Sequence, residues 1–544
     1  MPGPMMDRPL LISDLIEHAE TYHAKMEIVT RRVEGDYIHR YTYADAAKRA
    51  RQLANALQKL GVKEGERIGT LAWNTYRHYE VYFATSGIGA VCHTINPRLF
   101  AEQIEYIVNH AEDSYIFVDL TFVPIIEGLI SKMPKVKGFI IMTDEEHMPD
   151  SSVDNLICYE TLIADESDEI TWPRLDENAP AALCYTSGTT GNPKGVMYTH
   201  RSTIIHAYAC CMREALDVSG MTTILPVVPM FHVCAWGAPY SASMAGAKLV
   251  MPGAGMDGAS LHELIETEQA DTLLGVPTVW LGLLNHMDSI GKKLDCVDKV
   301  VIGGAAAPLS MIKDFQEKHD IFALHAWGMT EMSPLGTVNS MTPAMKALPI
   351  EERYQLQLKQ GRPVYGIELE IFDDNDNSLP HDGKARGRLM ARGPWVASEY
   401  YKNDDQSAFD SGWFDTGDVS TIDENGYMQI VDRSKDVIKS GGEWISSIEI
   451  ENFAVGHPAV KEACVIGVPH PKWDERPLLL AILNEGLSTT GQELLDFVSD
   501  SIAKWWIPDD VIFVSELPHT ATGKLLKVNL REEYKDHLTA KETT

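Results

Sequence analysis

Val300-Val301-Ile302-Gly303-Gly304-Ala305-Ala306-Ala307-Pro308 is a short apolar run that ends in a cluster of small residues and a proline. An apolar run without alternation reads as a strand covered on both faces. Pro308 suits the start of a helix through Ile312 to His319, and Ile321 to His325 reads as the next strand. Strand, helix and returning strand make a βαβ unit of a parallel sheet. The pattern repeats upstream, where Ser260-Leu261-His262-Glu263 has the form of a helix cap, Thr272 to Leu274 of a strand, and a further helix begins after Pro277. Near the N-terminus, Thr42-Tyr43-Ala44-Asp45 resembles a capping box. It opens a helix with Leu53, Leu57 and Leu60 on one face, closed by Gly61 and followed by a strand through Ile68 and Leu71. Ligands of parallel sheets bind beyond the carboxyl ends of the strands. The turns after Ile302 and after His325 therefore bracket a site.

From about Gly361 the character changes to alternating strands such as Glu368-Leu369-Glu370-Ile371, interrupted by Asp373-Asp374-Asn375-Asp376-Asn377, which suggests a small antiparallel barrel. A break near Asp432 precedes a compact α+β unit with helices over Ile448 to Ala454 and Gly491 to Ile502 and strands over Ala463 to Val468 and Leu478 to Leu483. The fold class is α/β. The expected division is a large N-terminal domain, residues 1–432, of parallel βαβ layers plus a small β-barrel, and a mobile small α+β C-terminal domain, residues 433–544.

The 544 residues carry 47 basic and 78 acidic side chains, a net charge of −31. Such a surface repels polyanions, which excludes a charge-driven nucleic-acid binder and requires any anionic ligand to sit in a locally positive pocket. Eight cysteines without a C-x-x-C pair fit free thiols in a reducing cytoplasm. The N-terminus lacks the form of a signal peptide and no apolar run is long enough to span a bilayer, so a cytoplasmic, non-integral protein is expected.

The chemistry concentrates in Tyr185-Thr186-Ser187-Gly188-Thr189-Thr190-Gly191-Asn192-Pro193-Lys194-Gly195. Glycines let backbone N–H groups turn toward an anion, hydroxyls add donors, and a lysine adds charge, which is what wrapping a phosphate requires. Lys194 is followed by glycine rather than serine or threonine, so this is not a Walker A loop.

This segment resembles the signature loop of the adenylate-forming superfamily of acyl-CoA synthetases, luciferases and peptide-synthetase adenylation domains. Five further motifs follow in the family's order, so the likeness runs from about Tyr41 to Lys527. It implies ATP and CoA as co-substrates, Mg²⁺ as cofactor, a small carboxylic acid as partner substrate, and a homodimer. Thr186, Ser187, Gly188, Thr189, Thr190 and Lys194 would hold the phosphates. Gly303, Gly304, Ala305 and Ala306 would line the adenine side, with Gly303 also facing the acid. In Trp327-Gly328-Met329-Thr330-Glu331 the family more often has Tyr first, so Trp327 carries over a stacking role and no phenol. Trp327 would also border the acid. Gly328 and Met329 would lie along the nucleotide, Thr330 at the α-phosphate, and Glu331 with Thr186 on Mg²⁺. Asp418 and Arg433 would bind the ribose, and Lys435 would be the hinge. Gly441 and Gly442 would pass the pantetheine arm, and Lys439 and Trp444 would touch the nucleotide. Lys524, in Pro518-His519-Thr520-Ala521-Thr522-Gly523-Lys524, would be catalytic, bridging carboxylate and α-phosphate.

Pro229-Met230-Phe231-His232-Val233-Cys234-Ala235-Trp236 resembles the segment beside the acyl group. His232 stands where amino-acid-activating relatives keep an aspartate, which argues against an amino-acid substrate and places His232 near the acyl carbonyl as a second catalytic candidate. Trp236 would narrow or gate the acyl tunnel. The motif wording is most similar to the medium- and long-chain fatty acyl-CoA ligase branch, and within it to the methylmercaptopropionate–CoA ligases. The activity implied is an AMP-forming ligation of 3-methylmercaptopropionate, or a short or medium-chain acid, to CoA. A long-chain ligase and a nucleotide sensor without catalysis are the alternatives.

Overall fold

The computed structural model describes the whole chain except residues 1–4, 36, 155, 187–191, 410–411, 441–442, 500–501, 520–524 and 539–544, and the side chain of Glu443. Two large sheets organise residues 5–363. In the first, the strands Glu27–Arg31, Lys248–Met251, Thr223–Pro226, Thr272–Gly275, Lys299–Ile302 and Phe322–Gly328 are neighbours in that order and all parallel. Antiparallel strands close both edges, Ile38–Thr42 on one side and Leu335–Val338 followed by Arg362–Pro363 on the other. The second has seven strands in the order Leu156–Cys158, Gly138–Ile141, Asp113–Val118, Arg67–Leu71, Val91–Thr94, Pro180–Tyr185, Gly195–Thr199. Only its last pair is antiparallel.

The apolar run Val300-Val301-Ile302 is explained by the layering. Val301 belongs to the central core shared by both sheets, whereas Val300 and Ile302 face an outer core with the helices Gly258–Glu268, Pro277–Ile290 and Leu309–His319. Each strand is covered on both faces, so no position calls for a polar side chain. The central core contains the helix Tyr76–Gly87, every residue of which is buried. The capping box at Thr42 forms as read, with Thr42 accepting from the Asp45 N–H and Asp45 accepting from the Thr42 N–H. The expected cap at Ser260 is corrected. The helix starts at Gly258, and the Asp257 carboxylate accepts from the N–H groups of Ala259 and Ser260 at 3.1 and 3.0 Å. A carboxylate at a helix N-terminus is a stronger acceptor than a hydroxyl, and Ser260 itself donates to Asp257.

The small barrel expected after Gly361 takes the form of a four-stranded antiparallel sheet, Glu368–Phe372, Gly387–Arg392, Phe414–Ile422 and Met428–Arg433 in chain order. The C-terminal unit is a further sheet whose central pair, Val460–His470 with Asp474–Leu483, is antiparallel, flanked by the hairpin Ile438–Ser440 and Glu443–Ile445 and by Asp510–Phe513. It has cores of its own around Val465 and Ile466, with the helices Ser447–Val455, Gly491–Ser499 and Lys527–Tyr534 packed over them.

Candidate active site

The described ends of the phosphate-loop motif, Tyr185 and Gly195, are paired at the end of the antiparallel strands Pro180–Tyr185 and Gly195–Thr199. Its base is closed by Thr186 N–H donating to Lys194 O at 2.9 Å and Lys194 N–H donating to Thr186 Oγ1 at 3.2 Å. Ser187, Gly188, Thr189 and Thr190 lie outside the described residues. The Lys194 ammonium sits 4.6 Å from the centre of the Tyr400 ring and 3.5 Å from Asp405. Tyr400 in turn donates its phenol to Glu331 Oε1 at 2.8 Å. Burial, with the neighbouring Glu331 carboxylate, pushes the Tyr400 phenol well above its usual range, so it remains a donor.

Glu331 is buried in the short turn Thr330–Met332. That turn is held from two sides, by Tyr198 donating to Thr330 O at 2.6 Å and by Ala397 N–H donating to Glu331 O at 2.7 Å. Thr186, Lys194, Thr330 and Glu331 thus gather around elements that are remote in sequence. Gly328 explains why the motif needs a glycine: a Cβ there would stand 2.1 Å from Pro334 O. Met329 N–H donates to the same carbonyl at 3.0 Å.

Trp327 is the penultimate residue of the strand Phe322–Gly328, and it does more than present a ring face. Its indole N–H donates to Asp418 Oδ2 at 3.1 Å, while Arg433 Nε lies 3.0 Å from Asp418 Oδ1. Asp418 and Arg433 face each other across the ladder of Phe414–Ile422 and Met428–Arg433. Arg433 also donates to Thr416 O at 3.2 Å. Each carboxylate oxygen of Asp418 keeps lone-pair capacity for a vicinal diol.

Gly303 lies against Trp236. A Cβ on Gly303 would meet the indole at 3.0 Å and Ala326 O at 3.3 Å. Gly304, at φ +79°, turns the chain away, and Ala305 and Ala306 continue the loop to Ala307, whose N–H donates to His325 Nε2 at 3.4 Å. Burial lowers His325 to about 4, leaving it neutral with a ring nitrogen free to accept.

The backbone that carries Trp236 was not legible beforehand. Val233, Cys234, Ala235 and Trp236 have φ of 44°, 50°, 50° and 56°, a left-handed helical turn of four non-glycine residues that ends at Gly237. Each such residue costs roughly 1–2 kcal/mol. The turn persists because its flanks are fixed. Asn74 Oδ1 accepts from Met230 N–H at 2.6 Å, Tyr82 donates to Met230 O at 2.5 Å, and a Cβ on Gly237 would run into His206 at 2.8 Å. His206, pushed down to about 3 by burial, accepts from Leu335 N–H at 3.2 Å and so ties the turn to the strand beside Trp327. His232 is half-buried at the head of the turn.

At the other end of the site, the segment after Arg433 enters the C-terminal unit. Lys435 is exposed in side-chain area, while partial desolvation of its ammonium by the surrounding chain lowers it from the usual lysine value. Asp432 accepts from the N–H and hydroxyl of Ser447, both at 2.6 Å, and Lys527 reaches Ser447 and Glu451, the latter at 2.7 Å. Lys439 and Trp444 are cross-strand partners, and Trp444 O accepts from Arg386, just before the strand Gly387–Arg392, at 2.7 Å. Gly441, Gly442 and Lys524 lie outside the described residues. Tyr400, Tyr198, His206 and Arg386 were not singled out from sequence.

The AMP-binding enzyme family matches residues 15–401, and the AMP-binding enzyme C-terminal domain matches residues 449–524. The 3-methylmercaptopropionyl-CoA ligase of Ruegeria lacuscaerulensis is 52% identical over 539 residues, covering 99% of this chain and 100% of its own. The medium-chain-fatty-acid–CoA ligase of Ectopseudomonas oleovorans is 50% identical over 538 residues, covering 99% of this chain and 98% of its own. Among solved structures, an anthranilate CoA ligase in complex with anthranoyl-AMP superposes with a TM-score of 0.86 at 25% identity, covering 98% and 99% of the two chains.

Proposed function

Since this chain belongs to the AMP-binding enzyme family and is an ATP-dependent, AMP-forming acyl-CoA ligase, we propose that its acid is 3-methylmercaptopropionate or a short to medium-chain carboxylate of similar width. The observation that carries this is the Trp236 indole against Gly303, so close that a Cβ on Gly303 would meet it at 3.0 Å; an acid bound between them that was bulky or branched would need the ring to move. The names of the two relatives point the same way. The test is AMP release by the purified protein with Mg·ATP and a series of acids, with and without CoA. CoA-dependent turnover is expected to peak on 3-methylmercaptopropionate and on butyrate to octanoate. A peak on palmitate would overturn the narrow-channel reading.

In the first half-reaction, the substrate carboxylate attacks the α-phosphate and pyrophosphate leaves. We assign Lys524 to bridging the two anions, the loop from Thr186 to Lys194 to the departing phosphates, Asp418 and Arg433 to the ribose, Trp327 to the adenine edge, and His232 to the acyl carbonyl. Thr186 and Glu331 suit Mg²⁺: a buried carboxylate and one hydroxyl leave the remaining positions to phosphate oxygens and water, which is how this ion is ordinarily held. Bound there, Mg²⁺ would offset phosphate charge. Tyr400 is a positioning residue in this scheme, since its phenol fixes one oxygen of Glu331. Tyr400→Phe is expected to raise the magnesium concentration for half-maximal rate about tenfold, with kcat at saturating magnesium nearly unchanged. An equal fall in kcat at every magnesium concentration would remove Tyr400 from that role.

For the second half-reaction we propose that residues 433–544 turn as a unit about Lys435 against residues 1–432, bringing Gly441, Gly442, Lys439 and Trp444 over the acyl-adenylate for attack by the CoA thiol. Proline at this position fixes φ and removes the N–H. Lys435→Pro is therefore expected to leave pyrophosphate release within about twofold of the parent and to cut thioester formation by more than about tenfold. Equal loss in both half-reactions would count against the hinge. We further propose a cytoplasmic homodimer, to be checked by light scattering of the purified protein. No described helix is long and apolar enough to cross a membrane.

A further inference from the structure

All eight cysteines are free, and two of them meet where the strand Pro180–Tyr185 packs against the left-handed turn Val233–Trp236. Cys184 is the penultimate residue of the strand Pro180–Tyr185, two positions before Thr186. Cys234 is the second residue of the left-handed turn between His232 and Trp236. Their sulfurs are 3.8 Å apart, and both residues are buried, at 2% and 3% exposure. Thr94 Oγ1 lies 3.2 Å from the Cys184 sulfur on the neighbouring strand, so the pair sits in a small polar niche inside the central core. The hydrogen bond between the two sulfurs holds the Cys184 thiol below its usual range against its burial and pushes Cys234 up. Nothing in the ligation uses either sulfur.

We propose that Cys184 and Cys234 are a modification site, closing to a reversible disulfide when a hydroperoxide enters along the acyl channel. Cys184, as thiolate, attacks one peroxide oxygen, the O–O bond breaks, and an alcohol or water leaves with the proton, giving a sulfenic acid. The Cys234 sulfur then attacks the sulfenic sulfur and water departs. In sum, two thiols and one hydroperoxide give one disulfide, one alcohol and one water: the thiols lose two electrons, and the peroxide gains them. The sulfurs must approach by roughly 1.8 Å to reach the bond length of about 2.0 Å. Cys234 stands in the strained turn, so that movement drags Trp236 along Gly303. The crosslink pins the channel wall to the strand that leads into the phosphate loop and stops acid entry.

The experiment treats the full-length ligase with hydrogen peroxide and measures two things in parallel, the disulfide map by non-reducing peptide mass spectrometry and CoA-dependent AMP release. The expected result is a Cys184–Cys234 crosslinked peptide, lighter than its reduced parts by two hydrogens, whose yield tracks a fall in turnover of more than about tenfold that dithiothreitol reverses. Cys92→Ser, on the adjacent strand, should still form the crosslink, whereas Cys184→Ala and Cys234→Ala should not. A crosslink to another cysteine, intact thiols at both positions in an inactivated sample, or a crosslinked enzyme of full activity would each overturn the proposal. The peptide map is independent of which acid the enzyme prefers, so its outcome is separate from that of the acid series.

Discussion

Lys524→Ala is expected to slow pyrophosphate release by about a thousandfold while the melting temperature and ATP binding stay close to those of the parent. Adenylation brings a carboxylate and an α-phosphate to about 3 Å, a repulsion of roughly 5 kcal/mol at an effective dielectric near 20. One ammonium between the two anions offsets most of it, and alanine supplies nothing in its place. The described residues on either side of 520–524 are held in place. Leu526 N–H donates to Pro518 O at 2.8 Å, His519 pairs with Leu525, and Lys527 is buried against Glu451 and Ser447. Truncating a side chain between such anchors should not unfold the unit. The discriminating assay supplies preformed acyl-adenylate with CoA: thioester formation should proceed at near-parental rate. If both half-reactions fell together, Lys524 would be acting on the fold or on the domain movement instead.

The second large effect is at Asp418. Asp418→Ala is expected to raise the KM for ATP about a hundredfold and to lower the melting temperature, because three things are lost at once. The ribose would lose its proposed acceptor, the buried Trp327 N–H loses the carboxylate oxygen it donates to at 3.1 Å, and Arg433 loses the carboxylate that orients it. Asp418→Asn separates these contributions. Its side-chain oxygen can still accept from Trp327, so stability should largely return, while the missing charge leaves Arg433 unbalanced and keeps the KM elevated. A normal KM in Asp418→Ala, measured by pyrophosphate exchange, would remove this residue from the nucleotide site.

What could be read from residue order, and what could not, divides along physical lines. The capping box at Thr42 and the strand at Val300 are local: short-range hydrogen bonding and burial on both faces leave a pattern within a few residues. The motifs were visible because phosphate, adenine and ribose each demand particular residue types at short spacing. The Trp327–Asp418 bond was hidden because its partners are 91 positions apart and the register of a different sheet brings them together. Tyr400 was passed over for the same reason, since its significance lies in Glu331, 69 positions away. The Ser260 cap was misplaced by two acceptors competing for one helix end, a contest that propensity alone does not decide. Val233-Cys234-Ala235-Trp236 gave no sign of its left-handed form, because nothing about these side chains favours it. The surroundings impose it through Asn74, Tyr82 and His206.

That imposed turn inverts the ordinary arithmetic of sequence drift. At most positions an exchange to glycine loosens a chain and costs stability, but at Ala235 glycine would relax a disfavoured backbone dihedral without removing a large side chain. The turn that carries Trp236 is therefore a place where neutral change should run toward glycine and asparagine. Lineages that keep alanine and valine there would be holding a stiff turn at the expense of stability, and if Trp236 borders the acid as proposed, stiffness is what discrimination between acids of similar size requires.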